Sequence, residues 1–500
     1  MRNRVRITAF SLRLVSRLRA AVRGRGCLGI RRLDIRGLDS RSYGIALGLA
    51  AMLTAGLEHA IAEEARPSPL QEDTANASSL PFDETLPRPQ FGSPLVRAVE
   101  LYEVPDSPNR GAATASLVGS DLYVAGIRWD KRRGLNGWLW RIDRNGERVW
   151  IRNLPTCTAN SSHDFILGVR EERDDETSTI AVLACRDDES GFQLERSRVV
   201  RDNTACETSS LAELGPLLGG TTISDDAAAP TSLVWGTPPY HEPQFARIAR
   251  IGPRAVEWVA TVSPADLTTL EQPEIARGRL SPIDESKVRW LRPAAGARLL
   301  DDRVVVAIAE SRVESKERPG RTALVRLSAE GVVEAGRVFR TFAPASLARD
   351  GDGLVVVGAD FADGRRDLLL RRYTADFELQ WSVPIQEPDG RAYQMGRTVV
   401  TDRWIAHSTR GVNPAGAYVV CRWFDRSTGR AVAAIRGPIG REAFLSPVAL
   451  LADGEELVHV FQYRPVQIRS PGRPTLERNQ HVLVVRTAAD PLATTDTSGR

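Results

Sequence analysis

Residues 352–381 read DGLVVVGADFADGRRDLLLRRYTADFELQW, and this stretch decides the fold. A tight Asp-Gly turn opens a hydrophobic strand, Gly353-Leu-Val-Val-Val-Gly358. A polar loop leads to a second strand, Asp367-Leu-Leu-Leu-Arg-Arg-Tyr373, which carries arginine near its end. A short turn then precedes a third strand marked by Trp381. Valine, leucine and aromatic residues bounded by Gly and Asp suit a pleated, half-buried surface, so each segment reads as a β-strand.

The same unit returns along the chain. Its first hydrophobic strand starts near residues 121, 179, 231, 302, 353, 402 and 455, at intervals of 58, 52, 71, 49, 51 and 53. The copies at Thr179–Ala184 and Thr231–Gly236 are the weakest. Second strands follow at Gly137–Asp143, Thr322–Leu327, Ala417–Trp423 and His481–Arg486, and the third strands carry Trp150, Trp258 and Phe339. A period near fifty with several short strands per unit is the mark of propeller blades. Segments that would supply a further inner strand precede six copies: Ala113–Val118, Asp164–Val169, Ala297–Leu300, Ala345–Ala348, Arg397–Val400 and Val448–Leu451. The expected fold is therefore all-β, a propeller of seven four-stranded blades. Ala265–Arg277 is the one fair candidate for an amphipathic helix.

The seventh unit runs out of chain after His481–Arg486 and lacks an outer edge. Leu95–Val104 (LVRAVELYEV) alternates as a strand does and is expected to supply it. Closing the ring with both chain ends removes a free sheet edge that otherwise invites aggregation.

These motifs resemble the β-propeller repeat widespread in bacterial secreted and surface proteins, with its D-G-x-hydrophobic-x-V-x-G strand and its later D-h-h-h-R-h strand. The resemblance covers residues 95–486 and departs most at 163–222 and 222–262. It implies a fold and not an activity, because propellers host enzymes, receptors and scaffolds alike.

Before the repeats stand two segments of other kinds. Residues 1–43 hold twelve arginines against two acids, a net +10. An apolar run, Gly44–Leu57, and Ala60-Ile61-Ala62 follow. A basic region, a short apolar core and an A-x-A site describe a secretory signal peptide, with cleavage expected after Ala62. The fourteen-residue run falls short of the roughly 20 apolar residues needed to span a bilayer. Uncleaved, it is the one membrane contact expected. The long Arg-rich start also fits a mitochondrial-type leader. Arg31-Arg32 has poor flanks for a twin-arginine signal, and Cys27 lacks a lipobox. Residues 63–94 read as a Pro-, Ser- and acid-rich linker, and the tail from Thr487 reads likewise. The formal charge of +4 thus belongs to the leader; the chain from Glu63 carries −5, and no nucleic-acid partner is expected.

In the expected strand order, short turns (Gly119-Ser120, Asp301-Asp302, Arg144–Glu147, Ser427–Gly429) share one face. The long and variable connections share the other. Insertions on one face mark it as the binding face. The candidate ligand residues there are Arg132, Arg133, Trp235, Tyr240, His241, Arg312, Arg365, Arg410 and Arg464. The six histidines show no metal-ligand spacing, and neither a phosphate loop nor a nucleophile elbow is present, so no metal or cofactor is expected. Asp350-Gly-Asp352-Gly begins like a calcium loop but lacks the later carboxylates and reads as a hairpin turn. Four cysteines remain after cleavage; a Cys157–Cys206 bridge is expected, with Cys421 a buried thiol.

The leading functional expectation is an exported, non-catalytic module that binds a protein or glycan through the long-loop face. The alternatives are a hydrolase or lyase acting on a carbohydrate or other anionic substrate at the channel mouth, and a structural assembly subunit. The residues leave open whether any catalysis occurs.

Overall fold

The computed structural model describes residues 93–104, 112–130, 134–154, 165–174, 177–188, 191–200, 206–213, 217–223, 231–236, 245–252, 255–277, 288–312, 320–361, 367–385, 391–413, 416–440, 443–470, 473–476 and 480–492. Residues 1–92, where a leader and a linker are expected, and the last eight residues lie outside that set.

Seven antiparallel sheets make the fold. Blade 1 is Ala112–Val118, Asp121–Asp130, Gly134–Ile142 and Arg148–Leu154, and blade 2 is Phe165–Asp174, Thr177–Asp188, Gly191–Val200 and Cys206–Glu213. Blade 3 is Leu217–Ile223, Thr231–Gly236, Ala246–Ile251 and Val256–Val262; helix α1, Pro264–Ala276, follows it. Blade 4 is Val288–Arg298, Val304–Arg312, Thr322–Leu327 and Val333–Phe339, and blade 5 is Phe342–Asp350, Gly353–Asp360, Asp367–Tyr373 and Leu379–Pro384. Blade 6 is Arg391–Val400, Trp404–Asn413, Gly416–Asp425 and Ala431–Gly440. Blade 7 takes Ala443–Asp453, Glu456–Ser470 and Gln480–Ala488 from the end of the chain and Val96–Val104 from its beginning. That last strand runs antiparallel to Gln480–Ala488, with Val104 opposite Gln480 and Val96 opposite Thr487. The inner strands neighbour one another in sequence, and the inner strand of blade 7 neighbours that of blade 1, so the ring is closed.

The near-continuous valine runs follow from this arrangement. Each blade is covered on both sides, so a strand alternates between two neighbours rather than between core and water. In blade 5, Leu354 and Val356 join the cluster with blade 4 residues Val305, Ala307 and Leu324. Val355 and Val357 join Ile405 and Phe424 of blade 6. All four are fully buried.

Two expectations at element level need correction. Thr487 and Ala488 belong to the third strand of blade 7 rather than to a tail; Thr487 is fully buried and its hydroxyl meets His459 Nε2 at 3.0 Å. The inner strand of blade 4 spans Val288–Arg298 and so begins nine residues before the expected Ala297.

The inner strands share a feature beyond the repeat motif. In all seven blades a register shift interrupts the ladder between inner and second strands. In blades 4, 5 and 7 a proline, Pro293, Pro344 or Pro447, stands directly before the skipped residue. Proline has no N–H to give to a ladder, so it is tolerated at bulges and on edge strands. The inner strand, whose outer side borders the ring axis, is such an edge.

Cys157 lies outside the described residues, so the Cys157–Cys206 pairing is left as an expectation. Cys206 opens the outer strand of blade 2, and among the described residues Cys421 is a free thiol whose pKa burial raises. No described helix is long and apolar enough to cross a membrane.

Candidate functional site

The two faces of the ring differ in how their polar groups are used. On the short-turn face, the arginines of the repeat motif belong to the blades themselves. Third strands end at that face, and in six blades their arginine meets an acid of the same blade. Arg141 Nε lies 2.9 Å from Asp121, Arg198 Nε 2.8 Å from Glu172, and Arg250 Nε 2.6 Å from Glu257. Arg326 Nε lies 3.3 Å from Glu334, Arg372 Nε 2.5 Å from Asp350, and Arg486 Nε 3.6 Å from Glu100. Asp350 also receives Arg426 from the turn of blade 6.

The turns themselves are covered by neighbours. Gly331 and Gly429 adopt φ +85° and +70°, where only glycine is unstrained. A Cβ on either would come 2.8 Å from the indole of Trp258 or Trp381, the aromatic residue of the preceding blade's outer strand. Between blades 5 and 6 this leaves a shallow cleft of about 280 Å³, lined by Arg372, Asp402, Arg403, Asp425, Arg426 and Ser427. Its three cations are equalled in number by Asp402, Asp425 and the adjacent Asp350, which pairs with both Arg372 and Arg426. Asp425 accepts from the backbone and side chains of Ser427 and Thr428, which lower its pKa to about 2. The cleft is therefore a self-neutralised turn cluster.

Second strands end at the opposite face, and there the described members of the expected ligand set fall. Arg312 closes its strand in blade 4, opposite Val288. Arg410 lies near the end of its strand in blade 6, where burial lowers its pKa. Arg464 pairs with Phe444 in blade 7. Trp235 is different: it is only 7% exposed and belongs to the core between blades 3 and 4, close to Gly296, so its ring is structural. Arg132, Arg133, Tyr240, His241 and Arg365 lie outside the described residues.

Two built features mark this loop face. The first is a hairpin. The strand Glu456–Ser470 keeps its inner partner to Pro465 and its outer partner to Tyr463, and then pairs with Arg473–Leu476, Val466 opposite Leu476. Residues 466–470 and 473–476 thus form a two-stranded arm beyond the blade's own pairing. The second is helix α1, in the connection from blade 3 to blade 4. Ser263 caps it, bonded reciprocally with Asp266. A buried ion cluster docks it on blade 4: Arg321 Nε lies 2.5 Å from Glu310 and its Nη1 3.7 Å from Glu271, while Arg340 Nε lies 2.6 Å from Glu271. Arg321 also donates to Thr268 Oγ1 at 2.8 Å. Nothing in the sequence spacing joins Glu271, Glu310, Arg321 and Arg340; only the packing of α1 does.

The described histidines lie within blades 6 and 7. Thr398 Oγ1 receives Ser346 Oγ at 3.0 Å and meets His407 Nδ1 at 2.9 Å, across the seam between blades 5 and 6. His407 and His459 are almost fully buried, and burial lowers both pKa values to about 3. Both imidazoles are neutral near pH 7 and out of range for proton exchange there. The described residues contain no group of three His, Cys, Asp or Glu side chains placed to hold a metal ion.

No family model matches this chain, and no curated protein matches it in sequence. Its fold is similar to solved propellers. The Dos1 propeller is 7% identical over 79% of this chain and 96% of its own, with a TM-score of 0.41. The N10 neuraminidase-like protein of a little yellow-shouldered bat influenza A virus is 10% identical over 67% of this chain and 99% of its own, at 0.37. The acylaminoacyl peptidase of Pyrococcus horikoshii is 9% identical over 72% of this chain and 51% of its own, at 0.41.

Proposed function

We propose that the chain is an exported, non-catalytic propeller that binds a protein or glycan through its loop face. The observation that carries this reading is the arm within residues 466–476, where the second strand of blade 7 runs on past its blade partners and, among the described residues, pairs only with Arg473–Leu476. A blade needs no such arm to close. The sequence places Arg469 and Arg473 on it, with Arg464 at its root. The short-turn face supports the same reading by contrast, because its motif arginines are matched by acids within the ring. The neutral, buried His407 and His459 favour binding over acid–base chemistry.

The test is replacement of residues 466–476 by an Asn-Gly turn, a two-residue connection suited to an antiparallel pair. The shortened protein is expected to unfold at an unchanged denaturant midpoint and to lose the interactions that the intact chain shows on glycan and protein arrays. Retention of those interactions overturns the reading. Export is tested by N-terminal sequencing of the mature protein, which is expected to begin at Glu63.

A further inference from the structure

We propose that the ring axis holds a binding site for the oxyanion group of a small acid, centred on the guanidinium of Arg397. Arg397 lies on the inner strand of blade 6, directly after the register shift between Gln394 and Arg397. Its Nε donates at 2.9 Å to the carbonyl of Val448 on the inner strand of blade 7. Val448 is the residue that the shift between Pro447 and Ala449 leaves out of its own ladder. The two irregularities therefore meet: one blade leaves a carbonyl free, and the next supplies the guanidinium that satisfies it. Gly396 sets the geometry, since a Cβ there would coincide with the carbonyl of Ser408, and the chain before Arg397 presses against the second strand.

The side chain of Arg397 is exposed to water although it projects from the innermost strand of a closed ring. At the same time the surrounding protein lowers its pKa through burial. Arg397 belongs to an innermost strand and is bonded to the next innermost strand, so it lies where the inner strands border the axis. Among the described residues it forms no ion pair, unlike Arg141, Arg372, Arg426 and Arg486 at the turn face. With Nε committed to Val448, both terminal nitrogens remain as an end-on fork. A guanidinium fork matches the two oxygens of a carboxylate or phosphate. The site differs from the loop face in place and in ligand size, and it stands whether or not that face binds a macromolecule.

The experiment is titration calorimetry of the full chain with sodium phosphate and with sodium malonate, each against sodium chloride at matched ionic strength. Wild type is expected to show saturable binding of at least one of the two anions, and which one responds distinguishes a phosphate from a carboxylate site. In Arg397→Gln the affinity is expected to fall at least tenfold, and in Arg144→Gln, an exposed turn residue, to stay unchanged. Absence of saturable binding of both anions, or equal affinity in Arg397→Gln, overturns the proposal. If Arg397→Gln does not fold, phenylglyoxal labelling of wild type followed by peptide mapping decides. The binding anion is expected to slow Arg397 modification severalfold where chloride does not, and an unprotected Arg397 overturns the site.

Discussion

The phenolic hydroxyl of Tyr102 donates to the carbonyl of Gly146 at 2.6 Å, and this bond ties the closing strand of blade 7 to the turn of blade 1. The same hydroxyl lies 2.9 Å from Glu100 Oε2. Burial, and then the Glu100 carboxylate, push the phenol pKa up, so the group stays protonated across the working range. Tyr102→Phe keeps the ring and removes the bond. It is expected to lower stability by about 1 kcal/mol, read as a lower denaturant midpoint at an unchanged slope.

The closing strand is a stronger test of the ring than any single bond. Without Val96–Val104, the strand Gln480–Ala488 becomes an open edge with Val482, Leu483, Val484 and Val485 along it. Such edges template association. A chain beginning at Ser93 is expected to unfold in one cooperative transition, whereas one beginning at residue 105 is expected to elute as aggregates in size-exclusion chromatography with light scattering. A well-behaved residue-105 variant would show that closure by this strand is dispensable.

Gly331 probes the seams between blades. Its φ of +85° disfavours any side chain, and Trp258 already fills the space a Cβ would need. Gly331→Ala is expected to cost about 1–3 kcal/mol, combining backbone strain with displacement of the indole. Chemical denaturation gives the energy, and a changed Trp emission in the folded state reports the displaced ring. Blade 5 carries Phe377 at φ +62° in the corresponding turn, buried beside Phe339, Phe342 and Tyr373. Phe377→Gly is expected to relieve strain but lose more in packing, so it too destabilises.

How far the sequence carried this reading depends on which property is local. Second strands such as Gly353–Asp360 were legible because they are buried on both sides and bounded by turns. Val96–Val104 was legible because a seventh blade lacked an edge. The inner strand of blade 3, Leu217–Ile223 (LLGGTTI), was not, since an edge strand with two glycines carries little hydrophobic signal. Pro293, Pro344 and Pro447 did mark the inner-strand shifts, but a proline inside an apolar run argues against a strand until its edge position is known. The motif arginines stood out by spacing, yet their acids come from other strands. Arg397 appeared only as the first residue of an inner-strand segment, because facing the axis is a property of the closed ring.

His407 and His459 make stability depend on pH in a stated direction. Each is neutral in the fold with a pKa of about 3, against about 6.5 in the unfolded chain. Between those values the unfolded state binds more protons. Their contribution is therefore fully present above pH 6.5 and is lost as pH falls towards 3. The slope per histidine approaches about 1.4 kcal/mol per pH unit at full effect. Urea midpoints measured from pH 7.5 to pH 4 are expected to fall, and the fall is expected to be shallower in His459→Gln. Equal slopes in the two proteins would assign the acid sensitivity elsewhere.

The buried cluster beneath α1 holds the helix on blade 4 through charge. Arg321 is wholly buried between Glu310 and Glu271, and Glu271 also serves Arg340. Two cations thus share the buried carboxylate of Glu271. Glu271→Ala removes that carboxylate from beside the wholly buried Arg321, and breaking a buried pair in this way costs about 3–5 kcal/mol. The helix should loosen first, because Glu271 is its anchor and Arg321 reaches Thr268 and Pro264 on it. Limited proteolysis is expected to cut Glu271→Ala within or just after Pro264–Ala276 while the blades resist. Replacing Glu271 and Arg340 together by methionine removes one charge of each sign and is expected to recover much of the loss. If the double variant is no more stable than Glu271→Ala, α1 is held by shape and capping rather than by charge balance.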